Sequence, residues 1–279
     1  MSERIETRLY VEEDLVAGQV IGLDSPRAHY LRTVLRLQSG ARLALFNGRD
    51  GAWTARIDAL GKGWASLAVE TRLTEQRGEP DIWLCFAPIK RTRLDFLVEK
   101  ATELGVARLQ PVMTRHTVVE RVNLARLAAT VREAAEQCER LTLPQVMAPV
   151  RLTALLQDWP QDRQLLLCAE AGAASPLAEV LTATPPGGAQ ALLTGPEGGF
   201  ASRELDALVA LPFVRAVGLG PRILRADTAA LAALSCWQAL RGDAKHRPEE
   251  RRALAGRLSL GPLADSDGPE DDGPGSDGR

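Results

Sequence analysis

The chain has 279 residues, 45% of them hydrophobic and 25% charged, with a formal net charge of −2. That length and balance exclude a disordered or fibrous chain and allow one large domain plus a small one, each with a buried core. No apolar run approaches the roughly 18–20 residues a membrane helix needs, and Met1, Ser2, Glu3 and Arg4 do not begin a signal peptide, so a cytoplasmic protein without a membrane partner is expected. Cys85, Cys138, Cys168 and Cys236 lie far apart in apolar stretches, and His29, His116 and His246 are isolated. Reduced buried thiols are therefore expected, with no disulfide framework and no metal site.

In chain order, residues 29–36 place apolar side chains at Tyr30, Leu31, Val34 and Leu35, which fits one or two helical turns carrying Arg32 and Arg36 on the other face. Residues 41–46 run into the tight-turn pair Asn47-Gly48. Residues 51–57 and 64–69 then alternate on either side of Gly61-Lys62-Gly63. Short strands joined by glycine turns predict a small β-barrel over the first seventy or so residues. A polar stretch at 74–80 marks a boundary, after which strands and helices alternate. Strands are predicted at 81–88, 107–112, 164–169, 190–194 and 214–218. Helices are predicted near 94–104, 124–141, 176–181, 203–211 and 228–240. This rhythm predicts a mainly parallel sheet covered by helices on both faces.

Residues 261–279 hold six acids against one base, so the preceding 260 residues carry +3. That excess permits a basic face for RNA. The tail itself is too poor in apolar residues to fold, and a disordered acidic extension is expected.

Two loops carry candidate chemistry because each follows a buried-looking strand and precedes a helix, the place where a parallel α/β sheet binds ligands. In the first, Gly195-Pro196-Glu197-Gly198-Gly199, the glycines let a backbone come close to a ligand and Glu197 supplies one carboxylate. The loop has neither the GK[ST] of a phosphate loop nor GxGxxG spacing. Read by itself it is equally an ordinary turn. In the second, residues 219–228, Ile223 and Leu224 suit an apolar slot for a flat ring, Arg222 and Arg225 suit a phosphate or base carbonyl, and Asp227 or Thr228 suits the cap of the next helix. A surface turn with solvated arginines fits that loop equally well.

Taken together, GPEGGF at 195–200 and LGPRILRADTAA at 219–230 resemble the RsmE-type family of SPOUT RNA methyltransferases. Supporting stretches are Thr7-Arg8-Leu9-Tyr10, residues 29–36, residues 90–95 with 99–106, and residues 133–140, so the resemblance covers about residues 7–243. Two departures stand out: Asp227 where the family's RILRxETA pattern has Glu, and Glu139 where a small residue is common.

The resemblance implies an α/β trefoil-knot SPOUT domain at 77–245, a PUA-like β-barrel RNA-binding domain at 1–76, a C-terminal extension from 246, and a homodimer. It implies methylation of N3 of a uridine in 16S ribosomal RNA, free or in the assembled small ribosomal subunit, with S-adenosyl-L-methionine as cofactor. Leu193, Thr194, Gly195, Gly198, Gly199, Leu219, Gly220, Ile223 and Leu224 would hold that cofactor. Arg8, Arg32, Arg36, Lys90, Arg91, Arg93 and Arg115 are the candidate RNA contacts, while His116 reads as an ordinary loop residue. Uridine N3 carries a proton, so the reaction needs a base or a charge that stabilises the anion. Arg225 is the candidate for that charge and Glu197 for the base, or else for holding the loop by accepting backbone N–H bonds. Ribose 2′-O-methylation by another SPOUT branch and a catalytically inactive RNA-binding assembly factor are the competing readings.

Overall fold

A computed structural model describes residues 4–169, 174–185 and 187–245. The acidic tail and His246 lie outside the described residues.

The N-terminal sheet is built from β1 (Ile5–Tyr10), β2 (Val20–Leu23), β3 (Arg42–Phe46), β4 (Ala52–Gly61) and β5 (Trp64–Thr74), with the order β1-β3-β4-β5-β2. The expected alternation is present. Ala55 and Ile57 of β4 face Val69 and Leu67 of β5 across an antiparallel pair, all four buried. The stretch at 29–36 is helical, but as a short α1 (Ser25–His29) running into a π-helical turn at Tyr30–Val34. Leu31 of that turn is fully buried in the sheet's core, while Arg32 and Arg36 stay exposed.

Sequence reading missed β1 and β2. β1 lies parallel to β3, and its other edge meets the following domain instead of closing on β2. There the Tyr10 N–H donates to Glu136 Oε1 at 2.9 Å, and the Arg8 guanidinium donates to the Arg140 carbonyl at 2.9 Å. An edge strand is covered in this way without a barrel seam.

The second sheet comprises β6 (Ile82–Phe86), β7 (Arg108–Met113), β8 (Gln145–Val146), β9 (Val150–Arg151), β10 (Arg163–Cys168), β11 (Ser175–Pro176), β12 (Ala189–Thr194) and β13 (Val214–Gly218). Its order is β11-β13-β10-β12-β6-β7-β8, with β9 also on β7, and all pairs are parallel. Helices α2 (Arg91–Glu103), α3 (Leu124–Cys138), α4 (Leu152–Gln157), α5 (Leu177–Ala183) and α6 (Ser202–Val209) connect the strands, and α7 (Ala226–Leu240) follows the last of them.

The strands read as near-continuous apolar runs because both faces are buried. Leu84, Leu166 and Leu192 join one core with α2, α3, α5 and α7, while Cys85, Leu165, Leu167 and Leu193 join the other with α4 and α6. Since β12 and β13 flank β10 on opposite sides, the connection through α6 crosses β10.

Helix α3 ends three residues before its expected limit, because Glu139 adopts a left-handed conformation with φ 65°. That backbone favours glycine, and it ends the helix there.

Candidate active site

The parallel register brings the carboxyl ends of five strands shoulder to shoulder. Cys168 pairs with Thr194 and Val217, Thr194 with Phe86, and Phe86 with Pro111. Both candidate loops leave this edge, one on each side of β10. The loop that follows β10 itself includes residues 170–173, outside the described set.

The glycine loop is held from several directions. Leu193 and Thr194 end β12 fully buried, and the Thr194 carbonyl accepts the Ala87 N–H at 3.1 Å. The Gly199 N–H donates to the Pro196 carbonyl at 2.9 Å, closing a turn in which Gly199 has φ +68°. Gly195 is required by close approach: a Cβ there would lie 2.8 Å from the Phe200 ring.

From α2, Arg93 Nη1 reaches Glu197 Oε1 at 3.1 Å. From the loop after β7, His116 Nδ1 lies 3.1 Å from the carbonyl oxygens of both Gly198 and Gly199. Carbonyls only accept, so Nδ1 carries the proton, and the ring tautomer follows from the loop. Glu204 accepts the Ala201 N–H at 3.0 Å and the Arg115 N–H at 2.8 Å, tying the start of α6 to the same β7 loop.

The Leu219 loop differs. Leu219 packs against the core and Leu224 is half-buried, but Arg222, Ile223 and Arg225 are exposed, Ile223 to 85%. Gly220 has φ +102° with open space where a Cβ would point.

Two sequence expectations change here. The N-cap of α7 is Arg225, with no side-chain cap, in place of Asp227 or Thr228. Asp227 lies inside the first helical turn, and its Oδ1 is buried without a hydrogen-bond partner among the described residues. Motif spacing located this helix start to within two residues, but only the backbone angles separate a cap from a first-turn position.

Of the candidate RNA contacts, Lys90, Arg91 and Arg115 are exposed at the ends of β6 and β7, with Arg93 beside them in its ion pair. Arg8 is otherwise occupied. Its side chain is bonded to the Arg140 carbonyl and sits 4.9 Å from the centre of the Phe46 ring. The reason is the unrecognised strand β1, whose pleat turns Arg8 toward the domain boundary.

Nor does Glu197 hold its own loop through backbone N–H bonds, since the partner it has is Arg93. His116, read as a plain loop residue, touches the glycine loop directly. Its place just past the end of a parallel strand was the available signal. Among the described residues no cluster of three or more His, Cys, Asp or Glu could hold a metal ion, and no helix is long and apolar enough to cross a membrane.

Comparison with known proteins agrees with this arrangement. A family model for an RNA methyltransferase domain matches residues 77–238, and one for an RNA methyltransferase PUA domain matches residues 23–69. Ribosomal RNA small subunit methyltransferase E of Rickettsia conorii is 33% identical over 230 residues, covering 82% of this chain and 93% of the relative. The Synechocystis protein of the same name is 35% identical over 84% of this chain and 77% of its own length. The crystal structure of the Neisseria gonorrhoeae protein of that name, bound to S-adenosyl methionine, superposes with a TM-score of 0.78 at 33% identity, covering 85% of this chain and 99% of that one. The matched model spans more than half of the chain and includes both strand-end loops, and the chain belongs to the ribosomal RNA small subunit methyltransferase E family.

Proposed function

We propose that this chain transfers a methyl group from S-adenosylmethionine to N3 of a uridine in small-subunit ribosomal RNA. The observation that supports this most is the pairing of a pinned glycine loop with an open arginine loop along one strand edge. The residues present suit the cofactor. Leu193, Thr194, Gly195, Gly198, Gly199, Leu219 and Gly220 lie along this edge, the Cβ directions of Gly199 and Gly220 open onto empty space, and Ile223 and Leu224 offer an apolar wall. The cofactor, when bound, supplies an electrophilic methyl on a sulfonium.

The chain's own contribution is orientation and charge. In-line displacement rewards fixed geometry, which the His116 and Arg93 contacts impose on the glycine loop. The Arg225 side chain has no hydrogen-bond or ion-pair partner among the described residues, so its guanidinium is available to stabilise the uridine anion. Glu197 shares its charge with Arg93, which suits anchoring the loop better than removing the proton.

Lys90, Arg91 and Arg115, exposed at the strand edge that carries the site, and the exposed Arg32 and Arg36 of the N-terminal domain are the RNA contacts on this reading. A PUA-like RNA-binding domain at 1–76, a knotted SPOUT domain at 77–245 and a homodimer belong to the same proposal. The crossing of β10 by the chain between β12 and β13 supports the knot.

The test is incubation of the full chain with labelled cofactor and either naked 16S rRNA or assembled small subunits, followed by mapping of the modified nucleotide. Label on N3 of one uridine is the expected result. Label on a ribose, or none with either substrate, would overturn the proposal.

A further inference from the structure

A cavity of about 380 Å³ is lined by residues that follow β6 and β7, the two strands next in the sheet after β12, which carries the glycine loop. Its floor is aliphatic, made by Ile89, Leu94, Val119 and Leu127. Its rim is cationic. Arg91 and Arg121 are exposed there; the Arg121 side chain has no hydrogen-bond or ion-pair partner among the described residues, and Arg91 acts on Asp95 electrostatically without a direct hydrogen bond. The lining also holds a fork: Arg126 donates from Nε and Nη2 to the two oxygens of Asp95, the first at 2.8 Å. Asn123 turns its side chain oxygen inward to cap α3 by accepting the Arg126 N–H at 3.1 Å.

An apolar floor under exposed guanidiniums suits a ligand that is flat and apolar in its body and anionic at one end. Single-stranded RNA offers such a body and charge in every nucleotide, and proteins bind unstacked bases on apolar or guanidinium surfaces with arginines on the phosphate. The size lies within the range of small-ligand pockets. Its lining follows the strands beside β12, so the cavity and the glycine loop open on the same strand edge.

We infer that this cavity seats a nucleotide of the substrate RNA adjacent to the target uridine, its base on the Leu94–Val119–Leu127 floor and its phosphate between Arg91 and Arg121. The inference rests on the reading of the chain as an RNA methyltransferase. It adds a positioning subsite separate from the cofactor loops, through which an extended strand is held on both sides of the reacting base.

The test uses the full chain and 16S rRNA, with affinity measured directly by filter binding at several salt concentrations and cofactor affinity measured by calorimetry. Arg121→Ala is expected to weaken RNA binding about tenfold and to lower the slope of log affinity against log salt by about 1, as for the loss of one phosphate contact. Val119→Trp fills the cavity without changing charge. It is expected to weaken binding about tenfold with an unchanged salt slope, since one stacked base is lost. Both should leave cofactor affinity within twofold, which also reports folding, and Val119→Phe replaces the larger ring if folding suffers.

RNA affinity of the filled variant within twofold of the wild type, or an unchanged salt slope for Arg121→Ala, would overturn the inference. A wild type that binds rRNA but methylates none would count against the enzymatic reading alone, because the binding measurements stand without turnover.

Discussion

The two loops at the carboxyl edge of the sheet are built on opposite plans. Gly195 to Phe200 is held by the protein itself, through Glu197 to Arg93, the Gly198 and Gly199 carbonyls to His116, and Gly195 beneath the Phe200 ring. Leu219 to Arg225 has a half-buried anchor at each side and a bare tip, with Ile223 and Arg225 facing solvent. A preorganised element can bind a cofactor through main-chain groups without a cost of reorganisation at the moment of reaction. A bare apolar and cationic tip gains its contacts from what arrives later, such as substrate or a second subunit. On the proposed reading, the pinned loop fixes most of the cofactor's geometry, and the bare loop adds an apolar wall and the stabilising charge of Arg225.

The sharpest separation should come from Arg225→Ala. It is expected to lower kcat by about 10²–10³ while cofactor affinity by calorimetry stays within about threefold. If affinity falls and turnover does not, the roles of the loops are reversed.

Gly195→Ala attacks the pinned loop. Its Cβ would meet the Phe200 ring at 2.8 Å, and forcing the ring aside is expected to cost about 1–3 kcal/mol of stability, read by denaturant titration, with cofactor affinity reduced at least about tenfold, equivalent to ~1.4 kcal/mol.

His116→Ala removes one tether. A loss of cofactor affinity of about five- to tenfold is expected, near the worth of one hydrogen bond, with kcat at saturating cofactor little changed. His116→Arg, which keeps a donor, should recover most of the loss. If it recovers nothing, the tether is not what matters.

The smallest effect lies away from both loops, at the boundary with the N-terminal domain, and serves as a control. Burial pushes the Glu136 carboxyl above its ordinary range, only partly offset by the Tyr10 N–H and by Arg132 and Arg27. A carboxyl raised on folding contributes its full stability below the unfolded value and loses it as pH rises through the folded value. Glu136→Gln is therefore expected to raise Tm at pH 7 by about 1–3 °C, the shift of a fraction of a kcal/mol in a domain of this size. The gain should vanish below about pH 4, where the native carboxyl is protonated. Scanning calorimetry at the two pH values checks it, and methylation should be unaffected.

Much of this fold is legible in the residues because burial writes a period into them. Ala55, Ile57, Leu67 and Val69 alternate since one face of their sheet is covered. Leu165, Leu166 and Leu167, like Ala191, Leu192 and Leu193, do not alternate since both faces are. Strand β1 hides because it is short of apolar residues and its contacts lie more than a hundred residues away: the Arg140 carbonyl for the Arg8 side chain, Glu136 for the Tyr10 N–H and Arg132 for the Tyr10 ring. No local pattern records such a partner. Helix α4 is a six-residue piece, too short to show a helical period.

By itself, then, the sequence determined the strand-helix rhythm, the position of both strand-end loops and, through their motifs, the family. Those are properties of neighbouring residues: glycine for tight backbone, apolar runs for burial. Only the tertiary structure decided that Arg93 answers Glu197, that His116 fastens the loop, that Arg8 serves the domain boundary and that Arg121 stands at the rim of a cavity. Each of these depends on which strand ends the parallel register sets side by side. That register comes from packing the whole sheet, not from the spacing of any one segment.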